Sequence, residues 1–350
     1  NEFKYKTMKW YNWILLPISL VFWIITTLRN LFFELGLFKK NKFNIPIIGI
    51  GNITVGGTGK TPHSQYISEL LQHNFKIAVL SKGYGRKTKD FQYVNIDSNT
   101  KDVGDEPLQM KKNLPNQIVA VDHKRVEGIN KILNEHNEVN CIVLDDAFQH
   151  RSVKIGLNIL LCDYNNPIYN DWIMPVGLLR ESRSEVNRAD CMIISKCPEN
   201  LSIGESLSIK KKLNFKKEIF YSKIIYDKIV SLKGNKTLEK ASLKKVLLVT
   251  GIANFNPIIE YLESLNIEIK HLAYKDHFKY QKKDIDKIIN NYQTGNNERI
   301  ILTTEKDAQK MKEFEKLWNF PVYYLKVSVD FMWNKDKFEE KIMNYVKAHS

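Results

Sequence analysis

Short apolar runs alternate with helix-compatible stretches along most of this chain. Five runs lie in the first half: IPIIGIGN, KIAVLS, FQYVNI, QIVAV and NCIVLDD. Five more follow: GLNILLCD, DCMIIS, KVLLVTG, IEIKHLA and RIILTT. Apolar runs of this length between helical segments are typical of buried parallel strands. The pattern therefore predicts an α/β fold.

The two series of runs are each long enough for a sheet of their own. Only the stretch DAFQHRSVKIGL separates them, which is short for a helical crossover within one sheet. We therefore expect two α/β domains, residues 39–151 and 152–325, with a cleft between them. The closing segment 326–350 is a candidate for return to the first domain.

The N-terminus differs from the rest of the chain. Residues 10–28, WYNWILLPISLVFWIITTL, carry no charge and would extend about 28 Å as a helix, just short of a bilayer core. Tryptophans and flanking lysines favour membrane contact over a buried soluble helix. No small-residue cleavage site follows, which disfavours a signal peptide. We expect residues 1–38 to form a membrane-anchor helix, and Pro17 leaves open whether it spans the bilayer or lies in its interface.

The net charge of +14 predicts an acidic partner, such as an anionic membrane surface, a phosphorylated substrate or nucleic acid. Nucleic acid is disfavoured because the aromatic residues are concentrated in the apolar segment and the strands, not along a basic stripe. The four cysteines form no C-x-x-C pair, so neither a zinc site nor a disulfide framework is predicted.

A phosphate-binding loop stands between a predicted strand and a predicted helix, in NITVGGTGKTPH at residues 52–63. It departs from G-x-x-x-x-G-K-[ST] because Thr54 occupies the first glycine position. Backbone N–H groups, the lysine ammonium and the threonine hydroxyl would hold the phosphates and Mg²⁺. The predicted nucleotide-binding residues are Thr54, Val55, Gly56, Gly57, Thr58, Gly59, Lys60 and Thr61.

Carboxylates follow the phosphate loop at two places. Asp145 and Asp146 end the apolar run CIVLDD, where a phosphate-loop protein places a metal ligand. Asp105 and Glu106 lie in the turn DVGDEPLQM, which suits one residue for a metal and one for accepting a proton. A solvated acidic turn is the alternative for this second pair.

Two further stretches contain candidate polar groups. MPVGLLRESRSE contains Arg180 and Glu181, which suit phosphate binding or a surface ion pair. YKDHFKY contains Asp276 and His277, a candidate pair for proton handling.

Together these stretches resemble the tetraacyldisaccharide 4'-kinase family, inner-membrane enzymes that phosphorylate a lipid A precursor. The shared motifs are GNITVGGTGKTP, LSKGYGRK, VGDEPLQM, VLDDAFQHR, MPVGLLRE, DHFKY and TTEKDAQKM, in family order over residues 51–311. The family's loop also lacks the first glycine, so Thr54 is ordinary within it. Lys82 departs from the arginine of many relatives.

The resemblance implies ATP and Mg²⁺ as co-substrates, with a tetraacyldisaccharide 1-phosphate as acceptor in lipopolysaccharide synthesis. It implies a P-loop NTPase-type parallel sheet, with the kinase domain at 39–151 and the second domain closing the active-site cleft. Lys60 takes a phosphate role, and Asp105 is the general base with His277 as its partner. The implied metal ligands are Thr61, Glu106, Asp145, Asp146 and Glu181. The implied acceptor contacts are Tyr84, Arg125, His150 and Arg180.

We further expect a monomer on the cytoplasmic face of the inner membrane, bound to its anionic surface. The alternative function is a membrane-associated P-loop ATPase switch that has no lipid acceptor. Many such switches carry a lysine just before the glycine pair, where this chain has Val55.

Overall fold

A computed structural model describes residues 10–234, 236–294 and 299–349, with side chains from residue 12 onward. Its central feature is a large, mostly parallel sheet. The strands are β1 Ile47–Gly51, β2 Ile77–Ser81, β3 Gln92–Tyr93, β4 Ile118–Val121, β5 Cys141–Asp145, β6 Leu157–Asp163, β7 Cys191–Ser195, β8 Glu218–Ser231, β9 Thr237–Leu238, β10 Lys245–Thr250, β11 Glu268–Ala273, β12 Ile300–Thr304 and β13 Val322–Phe331.

Helices connect these strands and cover the sheet. They are α1 Trp10–Glu34, α2 Lys60–Leu71, α3 Thr100–Val103, α4 Asp105–Asn113, α5 Arg125–Glu135, α6 Ile203–Leu213, α7 Asn256–Ser264, α8 Lys282–Gln293, α9 Glu305–Met311 and α10 Lys335–Lys347. Short 3-10 helices occupy Ile168–Asn170, Arg183–Arg188, Lys240–Ser242 and Glu315–Asn319. The α/β fold class is confirmed.

The strand order is β11-β10-β12-β13-β8-β7-β6-β1-β5-β2-β4-β3, and β9 pairs with β8. The long strand β8 joins the two halves of this sheet. Its first residues pair parallel with β7, and the remainder pairs antiparallel with β13. Helix α10 follows β13 and packs Phe338 and Ile342 into the core under the phosphate-loop half. The closing segment of the chain therefore contacts that half.

Strands β6 and β7 were grouped by the sequence pattern with the second series, and this grouping is wrong. β6 pairs parallel with β1, and β7 pairs with β6. We expected a connection between parallel strands of one sheet to need a helix. The connection from β5 to β6 needs none, because only β1 lies between these two strands in the sheet. Asn41 supports this connection through a bridge to Val153. Strand pairing therefore does not follow a division at residue 151, and the domain boundaries remain a prediction.

The carboxyl ends of the parallel strands meet at one edge of the sheet. Strands β1, β2, β5 and β7 are buried throughout, as their continuous apolar runs require. Ligands of open α/β sheets bind at such an edge, outside the carboxyl ends of the strands. The phosphate loop follows β1 there, and Asp145 ends β5 at the same edge.

Helix α1 leaves most of its apolar surface exposed, although its C-terminal part contacts the body of the protein. Residues Asn12–Glu34 have the length and composition of a membrane-crossing helix. Only 11% of the most apolar stretch within them is buried. Trp13 and Ile14 are about two-thirds exposed, at 65% and 66%. Ser19 Oγ donates to the carbonyl of Ile173 at 2.9 Å. The middle of the helix is therefore seated on the loop before Arg180.

Candidate active site

The phosphate loop runs from the end of β1 to the start of α2. Gly59 has a φ of 83°, in the left-handed region, and Lys60 begins the helix directly after it. Val55 N donates to the carbonyl of Leu178 at 2.8 Å, and Thr54 forms a bridge with Leu179. This pairing holds the entrance of the loop, which accounts for a threonine where the common motif has glycine.

Asn52, which the sequence analysis did not single out, lies at the centre of the loop's side-chain contacts. Its amide Nδ2 donates to Thr58 Oγ1 at 2.9 Å, and its Oδ1 accepts from Lys60 Nζ at 3.2 Å. Arg180 Nη2 donates to its carbonyl at 2.9 Å. In the sequence, the signal for this role is an asparagine directly after an apolar strand; the structure shows that Asn52 is fully buried.

A buried histidine supports the loop from within α2. His63 Nδ1 donates to the carbonyl of Gly59 at 2.7 Å, so its Nε2 accepts from Ser222 Oγ at 2.9 Å. Burial lowers the pKa of His63 to about 4. The imidazole therefore stays neutral and holds the glycine turn near neutral pH. Lys196 contacts the carbonyl of Gly57 and pairs with Asp163 at 2.6 Å.

Asp145 and Asp146 lie beside the phosphate loop, and their pKa values are shifted in opposite directions. Burial, together with the charges of Glu106 and Asp146, raises the pKa of Asp145 to about 6. Burial also acts on Asp146, but Lys60 and Arg180 outweigh it and lower the pKa of that carboxyl. Lys60 Nζ lies 3.6 Å and Arg180 Nη2 lies 3.3 Å from Asp146 Oδ1.

These groups fit a magnesium ion. Within the described residues, no three His, Cys, Asp or Glu side chains form a complete metal cage. Mg²⁺ seldom uses such a cage, because it keeps several waters and takes one or two carboxylates with substrate phosphates. The raised pKa of Asp145 results from its burial and from the nearby negative charges of Glu106 and Asp146. A cation beside the hydroxyl of Thr61 would relieve that repulsion.

Asp105 and His277 come together across 172 residues of sequence. His277 Nδ1 lies 3.6 Å from Asp105 Oδ2, and Lys310 Nζ lies 3.5 Å from the same oxygen. Burial would raise the pKa of Asp105, but His277, Lys306 and Lys310 outweigh it and bring the pKa down to about 2. Asp105 is therefore a carboxylate at every physiological pH.

Lys306, within TTEKDAQKM, is another residue that sequence reasoning did not assign to the site. Its Nζ lies 3.1 Å from Glu106 Oε1 and 3.0 Å from His277 Nε2. Helix α9 carries this lysine and is fastened to α4, because Gln109 and Asn113 both donate to the buried Glu305 at 2.9 Å. An open cavity, lined in part by Tyr84, Tyr280 and Lys310, lies beside Asp105 and His277.

The residues implied to contact the acceptor occupy different surroundings. Tyr84 is 64% exposed, with its ring centroid 4.8 Å from that of His277. Arg125 is fully buried and donates to the carbonyl of Asp145 at 3.0 Å. His150 is half-buried, and burial lowers its pKa to about 3. Arg180 lies on Asn52 and Asp146.

Glu181, implied as a metal ligand, is buried against two arginines. It is 1% exposed, contacts Arg188, and lies 3.9 Å from Arg29 of α1. Burial raises its pKa. These arginine contacts suit a carboxylate that seats the helix better than one that binds a metal.

Known proteins share this fold and these motifs. The family profile described as Tetraacyldisaccharide-1-P 4'-kinase matches residues 11–347. Tetraacyldisaccharide 4'-kinase of Flavobacterium psychrophilum is 40% identical over 339 residues, covering 95% of this chain and 96% of the relative. The enzyme of the same name from Phocaeicola vulgatus is 38% identical over 360 residues, covering 99% and 97%.

A solved structure agrees over the same extent. The crystal structure of LpxK from Aquifex aeolicus in complex with ATP matches with a TM-score of 0.76 and 26% sequence identity. The match covers 96% of this chain and 99% of that one. On these similarities, which extend over nearly the whole chain, the chain belongs to the tetraacyldisaccharide 4'-kinase family.

Proposed function

We propose that this chain transfers the γ-phosphate of ATP to the 4'-hydroxyl of a tetraacyldisaccharide 1-phosphate, with Asp105 acting on that hydroxyl. Membership of the family makes the chain an ATP-dependent lipid A 4'-kinase. An ATPase switch without a lipid acceptor is the weaker alternative, because relatives that match nearly the whole chain are kinases.

One observation supports this proposal more than any other. Helix α4 packs beside α2, the helix that begins at Lys60, because Asn113 Nδ2 donates to Gln65 Oε1 at 2.9 Å. The charge of Glu106 in the first turn of α4 also contributes to the raised pKa of Asp145. Asp105 is the first residue of that same helix. A phosphate held on the loop and a hydroxyl held on Asp105 would therefore face the same part of the site.

The phosphate loop would bind the triphosphate through backbone N–H groups at the start of α2 and through Lys60. Lys60 lies between Asn52 and Asp146, so its ammonium is held in place before a nucleotide arrives. Arg180, on the other side of Asp146, would add a second positive charge. Phosphoryl transfer depends mostly on such positioning and charge neutralisation.

Thr61, Asp145 and Asp146 would hold Mg²⁺, with Glu106 next to them. The ion would neutralise the charge that develops on the phosphate oxygens. Thr61 stands at the second position of α2, and Ser64 Oγ donates to Asp145 Oδ1 at 2.8 Å. Ser64 therefore fixes the orientation of the Asp145 carboxylate.

Asp105 would orient the 4'-hydroxyl and receive its proton. A carboxylate with a pKa of about 2 is a weak base, so the proton would move late, after the oxygen has begun to bond to phosphorus. His277 would orient the carboxylate of Asp105. Tyr84, whose ring packs against the imidazole, would line the cavity.

The anchor and the charge fit an acceptor that stays in a membrane. Helix α1 exposes its apolar side chains, and the net charge of +14 favours an anionic surface, at about 1 kcal/mol per basic residue close to it. We place the chain at the inner membrane as a monomer, with its catalytic part on the cytoplasmic face.

Label transfer tests this function. Detergent-solubilised protein is incubated with γ-labelled ATP, Mg²⁺ and the disaccharide 1-phosphate, and label in the lipid is measured. We expect labelled lipid from the wild type and none above background from Lys60→Ala. The matched control is Lys316→Ala, which removes an exposed lysine paired with Asp286. ATP hydrolysis without labelled lipid would contradict the proposal and favour the ATPase switch.

A further inference from the structure

We infer that Lys306 is a positioning residue, which holds the Nδ1–H of His277 toward Asp105 by donating a hydrogen bond to Nε2. This inference rests on the role proposed above for Asp105. It gives the imidazole an Nδ1–H that faces Asp105 Oδ2 across 3.6 Å, and it excludes the imidazole as the proton acceptor in this arrangement.

The hydrogen-bond roles follow from the donor inventory. A lysine ammonium has three donors and no acceptor, so at 3.0 Å from Lys306 Nζ the Nε2 atom of His277 must be the acceptor. A neutral imidazole that accepts at one nitrogen carries its proton on the other. That proton is on Nδ1, which lies 3.6 Å from Asp105 Oδ2.

The surrounding structure keeps both partners in place. His277 has a φ of 54°, and its backbone N–H contacts the carbonyl of Gly251 at 3.2 Å. Lys306 is in the first turn of α9, where the side chain of Thr304 caps the helix by accepting from Asp307 N. The side chain of Lys306 is 17% exposed, so little water competes for its ammonium.

A neighbouring lysine provides the matched comparison. Lys310 is one turn further along α9 and has the same charge, and it lies 3.5 Å from Asp105 Oδ2. Its hydrogen bonds go to Asp307 and to the carbonyl of Phe278, not to the imidazole. Removing Lys310 therefore changes the charge near Asp105 but leaves the Nε2 contact of His277 intact.

The experiment combines kinetics with imidazole ¹⁵N NMR on ¹⁵N-histidine-labelled protein, with His277→Gln to assign the signal. Spectra are recorded at about pH 8.5, well above the ordinary imidazole pKa of about 6.5. In the wild type and in Lys310→Met we expect the proton on Nδ1. In Lys306→Met we expect the signal to move toward the Nε2–H form, and in Lys306→Arg we expect it to return to Nδ1–H.

The kinetic arm separates positioning from binding. In Lys306→Met we expect kcat for lipid phosphorylation to fall about 100-fold with both KM values within about twofold, and in Lys306→Arg we expect partial recovery. An unchanged His277 tautomer in Lys306→Met, or full activity of that variant, would overturn the inference. The NMR result does not depend on the acceptor, so a wild type that labels no lipid would count against the proposed function alone.

Discussion

Arg29, near the end of the apolar helix α1, donates its Nη2 to the carbonyl of Gln149 at 2.7 Å. Gln149 continues this contact, because its Nε2 donates to the carbonyl of Asn52 at 2.9 Å. Asn52 in turn accepts from Lys60 of the phosphate loop. Three successive hydrogen bonds therefore join the apolar helix α1 to the lysine that would meet the nucleotide.

Replacing Arg29 by methionine should weaken this connection. A hydrogen bond from a charged donor contributes about 1.5–3 kcal/mol, so we expect kcat/KM for the lipid to fall about tenfold or more. Lys40→Met is the control, since Lys40 pairs only loosely with Glu34 at 3.6 Å near the same helix end. Steady-state kinetics in mixed micelles measure both, and equal kcat/KM for the two variants would contradict the connection.

Asn52→Ala should weaken nucleotide binding, because it removes side-chain contacts that hold the phosphate loop. Lys60 loses its acceptor and Thr58 Oγ1 loses its donor, so the loop is less well ordered before binding. We expect the Kd for ATP to rise between about fivefold and about 150-fold, corresponding to about 1–3 kcal/mol for unpaired buried polar groups. Calorimetric titration measures the Kd, with Asn291→Ala, whose side chain donates to the carbonyl of Lys287 within α8, as control. An unchanged Kd in Asn52→Ala would show that the contacts are incidental.

Asp145 should make stability depend on pH in the mildly acidic range. Its pKa is about 6 in the folded protein, above its ordinary value of 3.8, so the folded state binds this proton more tightly. The free energy of unfolding should therefore fall as pH rises from about 4 to about 6, by about 3 kcal/mol at most, and stay level above that.

The comparison with Asp145→Asn isolates this contribution. Unfolding by urea at several pH values should show a decline in the wild type between about pH 4 and about pH 6 that the asparagine variant lacks. Mg²⁺ with ATP should reduce the decline, because a bound cation favours the carboxylate. Identical pH profiles for the two proteins would be incompatible with a raised pKa at Asp145.

Much of the site could be predicted from local sequence because its chemistry is local. The phosphate loop is continuous in the chain, and Asp145 directly ends an apolar strand. Contacts between distant segments could not be derived in this way. Asp105 and His277 were paired through the family resemblance, not through spacing, and Lys306 looked like any lysine after a strand.

The errors in the fold have a similar origin. Apolar runs identified the strands, but a run carries no information about its neighbours in the sheet. β6 lies next to β1, because the short connection from β5 has to pass over β1 alone. The shortness of this connection was the reason for predicting that β6 belongs to a separate sheet. Glu181 was assigned as a metal ligand by resemblance, and that assignment remains a prediction; its contacts with Arg188 and Arg29 are visible only in the folded chain.

Gly51→Ala should destabilise the end of β1. An added Cβ would stand 2.6 Å from both the Cβ and the backbone N of Phe148, so the backbone there would have to shift. We expect a loss of about 1–3 kcal/mol in the free energy of unfolding. Gly204→Ala in α6 meets nothing within 4 Å and should be neutral or slightly stabilising. Equal stability of the two variants by urea unfolding would contradict the close contact.

The central claim is that Asp105 acts on the acceptor hydroxyl, and a single-turnover experiment tests it most directly. Enzyme in excess over γ-labelled ATP is mixed with saturating disaccharide 1-phosphate and quenched at intervals, for the wild type and Asp105→Asn. The control is Asp286→Asn, an exposed aspartate paired with Lys316. We predict that Asp105→Asn binds ATP normally but transfers label at least about 100-fold more slowly, because general base assistance contributes about that much. Transfer by Asp105→Asn at the wild-type rate would contradict the claim.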